Sequence, residues 1–81
     1  MENRIGVVGI IIEDLTFISE VNEILHNYGG IIVGRMGIPY KEKNVNVISL
    51  IVDGTTDEIG ALTGKLGKLK GLSVKSALSK K

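Results

Sequence analysis

Residues 4–13 (RIGVVGIIIE) are apolar almost without a break, and a second run of the same character covers residues 45–53 (VNVISLIVD). After each run the spacing changes. Phe17, Ile18, Val21, Ile24, Leu25 and Tyr28 share one face at 100° per residue, with Ser19, Asn22, Glu23 and His26 pointing away from it. Ile59, Leu62, Leu66 and Leu69 form a second stripe of the same period. Short β-branched runs bounded by turn residues read as strands, and the 3.6-residue period reads as helix. The pattern predicts strand one over Arg4–Glu13, helix one over Thr16–Tyr28 with Asp14 or Thr16 as N-cap, and strand two over Ile31–Tyr40. It continues with a polar hairpin tip at 41–44, strand three over Val45–Asp53, helix two up to Gly71 and strand four over Leu72–Leu78. Helix two opens on Thr55-Thr56-Asp57-Glu58, a capping box in which Thr55 and Glu58 satisfy each other's free amides.

Shifted by 41 residues, the chain lies over itself. Ile18, Val21, Leu25, Tyr28 and Gly30 fall on Ile59, Leu62, Leu66, Leu69 and Gly71, and upstream Val7, Ile10 and Ile11 fall on Ile48, Ile51 and Val52. Each half is a β-α-β unit. Two such units with right-handed crossovers give an α+β fold, βαββαβ, with a four-stranded antiparallel sheet in the order 4-1-3-2 and both helices on one face: the ferredoxin-like plait. Pro39 has no amide hydrogen to donate to a ladder, which places strand two at an edge. Residues 1–78 make a single domain, and 79–81 a short polar tail.

A sheet covered on one side should alternate apolar and polar residues, and the two central strands do not. With Val8, Ile10 and Ile12 facing the helices, Val7 and Ile11 point to the uncovered face. Strand three repeats this, with Val45, Val47 and Ile51 opposed to Ile48, Leu50 and Val52. An uncovered apolar face marks an association surface, so a homo-oligomer (dimer or tetramer) is expected. Gly60, Gly64 and Gly67 lie on one flank of helix two, roughly opposite its leucine stripe. Interior helical glycines cost about 1 kcal/mol each relative to alanine, so this flank is a second expected contact.

Length sharpens the expectation of self-association. A chain of 81 residues has a marginal core of its own, and with no cysteine it has neither disulfides nor thiolate ligands to reinforce it. The longest apolar run is far short of the roughly 20 residues of a membrane span, and Glu13 and Asp14 interrupt it where a signal sequence would continue. A soluble, cytoplasmic protein is expected. The net charge of +1 hides an asymmetry: residues 1–40 carry two basic and five acidic groups, and residues 41–81 carry eight and four. The lysines 65, 68, 70, 80 and 81 read as a solvated face, since neither arginine nor interleaved aromatics accompany them as a nucleic-acid surface would require.

Catalytic chemistry is excluded mostly by inventory. His26, the single histidine, sits on the polar face of its helix, and no nucleophile–base constellation can be assembled around it. Glu13 and Asp14 are adjacent in a strand and point to opposite faces, so capping is the natural role of Asp14. The segment 60–66 lacks phosphate-loop spacing and lies inside a helix, and Gly30, Gly34 and Gly37 have no following helix. No enzyme, metal or cofactor is expected.

Ile10-Ile11-Ile12-Glu13-Asp14, the amphipathic helix after it, a glycine turn and an edge strand resemble the first half of ACT-type regulatory domains. Val52-Asp53-Gly54, the helix Ile59…Leu62…Leu66-Gly67-Lys68-Leu69 and Leu72-Ser73-Val74 resemble the second half. The common Pro-Gly of the first loop is replaced here by Asp14-Leu15-Thr16. A narrower resemblance, carried by Arg4–Glu13, Glu23-Ile24-Leu25-His26, Ile31-Ile32-Val33-Gly34 and Leu69-Lys70-Gly71, is to a short stand-alone family of regulators of the iron-only hydrogenase system. That family is similar in turn to the C-terminal domain of nickel-responsive repressors. The repressor's metal site is not carried over: His26 matches one ligand, but Gly37 and Pro39 stand in place of a histidine pair, and no cysteine completes a nitrogen/sulfur set. The resemblance implies a non-enzymatic module that senses a small effector between copies. Its candidate ligand residues are Glu13, Asp14, Leu15 and Thr16, where helix-start amides can receive an anion, together with Gly29 and Gly30. The candidate contact residues are Val7, Ile11, Gly60, Gly64 and Gly67. The competing reading is a ligand-free subunit that docks its apolar sheet face on a hydrogenase-system protein.

Overall fold

Strands β1 (Arg4–Ile12), β2 (Ile32–Tyr40), β3 (Val45–Gly54) and β4 (Leu72–Leu78) form one antiparallel sheet in the order β2-β3-β1-β4, and helices α1 (Ile18–Asn27) and α2 (Thr56–Gly67) cross it. The computed structural model describes residues 2–80. The sheet order is the expected 4-1-3-2 read from its other edge, and β2, with Pro39, is indeed an edge strand. The core lies between helices and sheet. Val8, Ile10 and Ile12 from β1, Ile48, Leu50 and Val52 from β3, Val21 and Leu25 from α1, and Ile59, Leu62 and Leu66 from α2 are all buried. Lys65 of α2 lies over the Tyr28 ring at 5.4 Å and ties the helices together on their outer side.

Local signals account for most boundaries. The capping box closes as expected, with the Thr55 amide donating to Glu58 Oε1 at 2.9 Å and the Glu58 amide to Thr55 Oγ1 at 3.1 Å. Asn44, in the left-handed region at φ 55°, closes the β2–β3 hairpin after a 3-10 turn at Lys41–Lys43. β1 ends at Ile12 rather than Glu13, although the Glu13 amide still donates to the Gly71 carbonyl at 2.7 Å, one step beyond the Ile12–Leu72 pair. The first helix begins as a 3-10 turn, Leu15–Phe17, capped by Asp14, and becomes α-helical only at Ile18. α2 ends at Gly67; Gly71 stands beyond it, in the turn into β4, at φ +77° and packed directly against Asp14, a place no side chain can take. Ser79, expected in the free tail, is held to β1: its amide donates to the Ile5 carbonyl at 2.8 Å, and Arg4 Nη1 donates to its carbonyl at 3.0 Å. Lys81 lies outside the described residues.

The internal repeat needs one correction. The 41-residue shift matches the helices, since Val21 and Leu25 are buried like Leu62 and Leu66. In the strands it lays exposed Val7 on buried Ile48, and buried Ile10 on exposed Ile51. The structural counterparts of Val8, Ile10 and Ile12 are Ile48, Leu50 and Val52, an offset of 40. A strand displaced by one residue turns every side chain to the other face, so the extra residue is taken up in the link between β3 and α2.

A second irregularity lies in β2. Ile32 pairs with Val52, but Gly34 pairs with Ile51, so the pairing slips by one residue across a bulge at Val33. Without it, Arg35 would pair with Ser49 on the uncovered face. With it, Arg35 pairs with Leu50 on the helix side, and Met36, Ile38 and Tyr40 turn outward.

Candidate functional site

Three surfaces emerge from this architecture. The first is the uncovered face of the sheet. Val7 and Ile11 on β1, Val47 and Ile51 on β3, and Met36 and Ile38 on β2 lie there side by side, each between 38% and 64% exposed. Gly9 opposite Ser49 makes a shallow band between the two apolar rows; β1 and β3 put no charge on this face from Val7 to Ile11, and Lys75 of β4 stands beside Gly9 at its flank. Val7 and Ile11 are thus placed as the alternation required.

The second is a trough between α1 and edge strand β2. At one end it is a space of about 260 Å³ beside Ile18, Ile38 and Ile48, and at the other a space of about 400 Å³ beside Leu25, His26, Gly29 and Ile32. Asn22 and Arg35 line both, so the hydrogen bond from Arg35 Nη2 to Asn22 Oδ1, at 3.3 Å, spans the trough between them. The third surface is the matching trough between α2 and edge strand β4, about 550 Å³, lined by Gly60, Thr63, Gly64 and Gly67 on the helix and by Leu72, Val74, Lys75 and Ser76 on the strand. The three glycines therefore face a sheet edge rather than lying opposite the leucine stripe. A Cβ built on any of them meets nothing within 4 Å.

The candidate ligand residues do not form one cluster. Glu13, Asp14, Leu15 and Thr16 lie at the C-terminal end of β1, whereas Gly29 and Gly30 lie beside the strand's start, next to Ile31, which packs on Gly54 opposite Arg4. The length of β1 separates them, about 27 Å at 3.3–3.4 Å per residue. The Asp14 carboxylate accepts from the Thr16 amide at 3.0 Å, and hydrogen bonds from Thr16 hold its pKa below the ordinary aspartate value. A helix-start amide that would greet an anion is thereby already engaged by a carboxylate. Gly29 alone joins a recess, in the company of Asn22, His26 and Arg35. Of these, the sequence marks Asn22 only as solvent-facing, His26 as solvent-facing and as the match to one repressor ligand, and Arg35 as neither. Its signal was present in the sequence as the lone charge within IVGRMGIPY.

Among the described residues, no group of three or more His, Cys, Asp or Glu side chains is placed to hold a metal ion. No helix is long and apolar enough to cross a membrane. The TM1266-like family model, described as "Iron-only hydrogenase system regulator, putative", matches residues 4–76. The chain belongs to that family. Protein TM1266 from Thermotoga maritima superposes with a TM-score of 0.93 at 38% identity, covering 98% of this chain and 100% of that one. No curated protein matches in sequence.

More distant likenesses concern the fold alone. The C-terminal domain of the MgtC protein from Mycobacterium tuberculosis gives a TM-score of 0.68 at 13% identity, over 95% of this chain and 88% of that one. A formyltetrahydrofolate deformylase from Pseudomonas putida gives 0.64 at 8% identity, over 90% of this chain and 28% of that one. The same plait thus occurs both as a chain's whole length and as a fraction of a larger protein, and it does not decide function.

Proposed function

We propose that this member of the hydrogenase-regulator family is a non-enzymatic, ACT-like module that acts in the cytoplasm as a homo-oligomer, dimer or tetramer, and transmits the binding of a small effector through its assembly. The observation that carries the reading is the uncovered sheet face. Val7, Ile11, Val47 and Ile51 sit in the middle of the sheet, paired with one another, uncharged and 38–44% exposed, with neither helix over them. A face of this kind is stabilised by covering it with another apolar surface. Seating a second copy there supplies the apolar burial that an 81-residue chain lacks alone. An effector that binds one assembled state better than another shifts the balance between them, which requires no chemistry at the site. Contacts from Glu13, Asp14, Leu15 and Thr16 to such an effector need a second copy to complete them, because Gly29 and Gly30 lie at the other end of the same protomer.

Sedimentation equilibrium at micromolar concentration tests the reading, with a dimer or tetramer expected. Lysine at both Val7 and Ile11 should yield a folded monomer, since both side chains already stand outside the core. A monomeric wild-type chain would overturn self-assembly and leave the face to a different protein.

A further inference from the structure

The two troughs are built on equivalent backbone, and only the α1–β2 trough joins a guanidinium and an imidazole, the α2–β4 trough having Lys75, Thr63 and Ser76 as its polar groups. Sheet register sets the correspondence. Arg35 pairs with Leu50 as Val74 pairs with Ile10, and Gly37 pairs with Ile48 as Ser76 pairs with Val8. On the helices, Asn22 and His26 correspond to Thr63 and Gly67. The position that holds Arg35 in the first half therefore holds Val74 in the second, where it packs against the core. The fold does not need a cation at that place; an aliphatic side chain serves it well. Arg35 is brought there by the extra residue at Val33, and bulges that re-aim one side chain are common beside functional sites.

Once there, Arg35 is open to solvent and little engaged by the protein. Its one hydrogen bond goes to a neutral amide oxygen at 3.3 Å, beyond the usual range for such a bond, and among the described residues no carboxylate pairs with it. The other arginine, Arg4, is used structurally, on the carbonyl of Ser79. A guanidinium presents a planar fork that matches two oxygens of a carboxylate or phosphate far better than one amide oxygen. His26, with at least one ring N–H in any protonation state, lines the same recess. The adjoining space of about 260 Å³ is mixed, with Ile18 and Ile48 beside Asn22, Arg35 and Asn46, so it offers a ligand both apolar and polar contacts.

We propose that the α1–β2 trough binds a small molecule through a terminal oxyanion, carboxylate or phosphate, which takes Arg35 from Asn22, with His26 as a further donor. The site stands on one protomer, so it holds or fails independently of the oligomer.

The test is an NMR titration of the full-length chain with inorganic phosphate and, separately, with acetate at constant ionic strength, following the Arg35 side-chain Nε–H and the Asn22 side-chain amide, with chloride as the reference anion. Saturable shifts at both groups are expected with at least one oxyanion. Saturation by phosphate alone assigns a phosphate ligand, by acetate alone a carboxylate, and by both the shared oxyanion chemistry. Arg35→Gln should weaken binding about tenfold or more, as loss of a charge-assisted contact does, and Arg35→Lys should restore only part of it. Lys75→Gln, on the uncovered face, should change nothing. Shifts that grow without saturating for both oxyanions, or an Arg35→Gln protein that titrates like wild type, would overturn the proposal. If that variant titrates unchanged and aggregates, Arg35 serves only to guard a sheet edge.

Discussion

The α1–β2 and α2–β4 troughs share strand order, helix crossing and register, yet they have opposite contents. Where α1 presents Asn22 and His26, α2 presents Thr63 and Gly67 together with Gly60 and Gly64, and where β2 turns in Arg35, β4 turns in Val74. The difference separates what the plait requires from what has been placed on it. Both halves keep the aliphatic residues that fill the core. The second half has reduced the helix side of its trough to glycines and Thr63, which suits close approach by another surface. The first has furnished its trough with hydrogen-bond donors, which suits a charged ligand.

If the halves contribute equally to one core, Leu25→Ala and Leu66→Ala should each cost about 2–5 kcal/mol and lie within about 1 kcal/mol of one another, read from urea denaturation at fixed protein concentration. A much smaller loss at Leu25 would break the equivalence. A smaller effect distinguishes the helices. Gly64→Ala should stabilise the fold by about 0.5–1 kcal/mol, because the new methyl meets nothing within 4 Å and the helix gains propensity. Sedimentation of the same variant sharpens the contrast: weakened assembly shows that a partner copy approaches the glycine flank, and unchanged assembly removes that flank from the interface. The smallest effect concerns the opposite loop. Hydrogen bonds from Thr16 lower the Asp14 pKa in the folded state. The stability they contribute is present in full above the ordinary aspartate value and is lost as the pH falls through the depressed one. Asp14→Ala should therefore be less stable than wild type near neutrality and converge on it in acid, measured as melting temperature against pH.

Topology was legible because it rests on local periods that tertiary contacts reinforce. The bounds of β4, the capping box at Thr55 and Glu58, the edge position of Pro39 and the outward aim of Val7 and Ile11 all follow from spacing or from one residue's chemistry. What the pattern could not carry is the relation between distant strands. The facing of β2 depends on a slip at Val33 that only pairing with β3 reveals, and in IVGRMGIPY either face is apolar enough to be inner. The uniform 41-residue overlay failed in the strands for the same reason, since matching letters do not report which side a residue takes. The candidate site suffered most. Gly29 does lie in a recess, but the groups around it, Asn22, His26 and Arg35, come from two elements whose meeting no local window contains.

The hydrogen bond from the Glu13 amide to the Gly71 carbonyl has a mechanical consequence. It pins the entry to the first helix and the entry to β4 at one point, where Gly71 leaves no slack against Asp14. A molecule wedged under α1 that lifts the front of that helix also draws on the root of the far edge strand, so a push on one flank of the sheet arrives at the other through the β1–β4 ladder, of which this bond is the last rung.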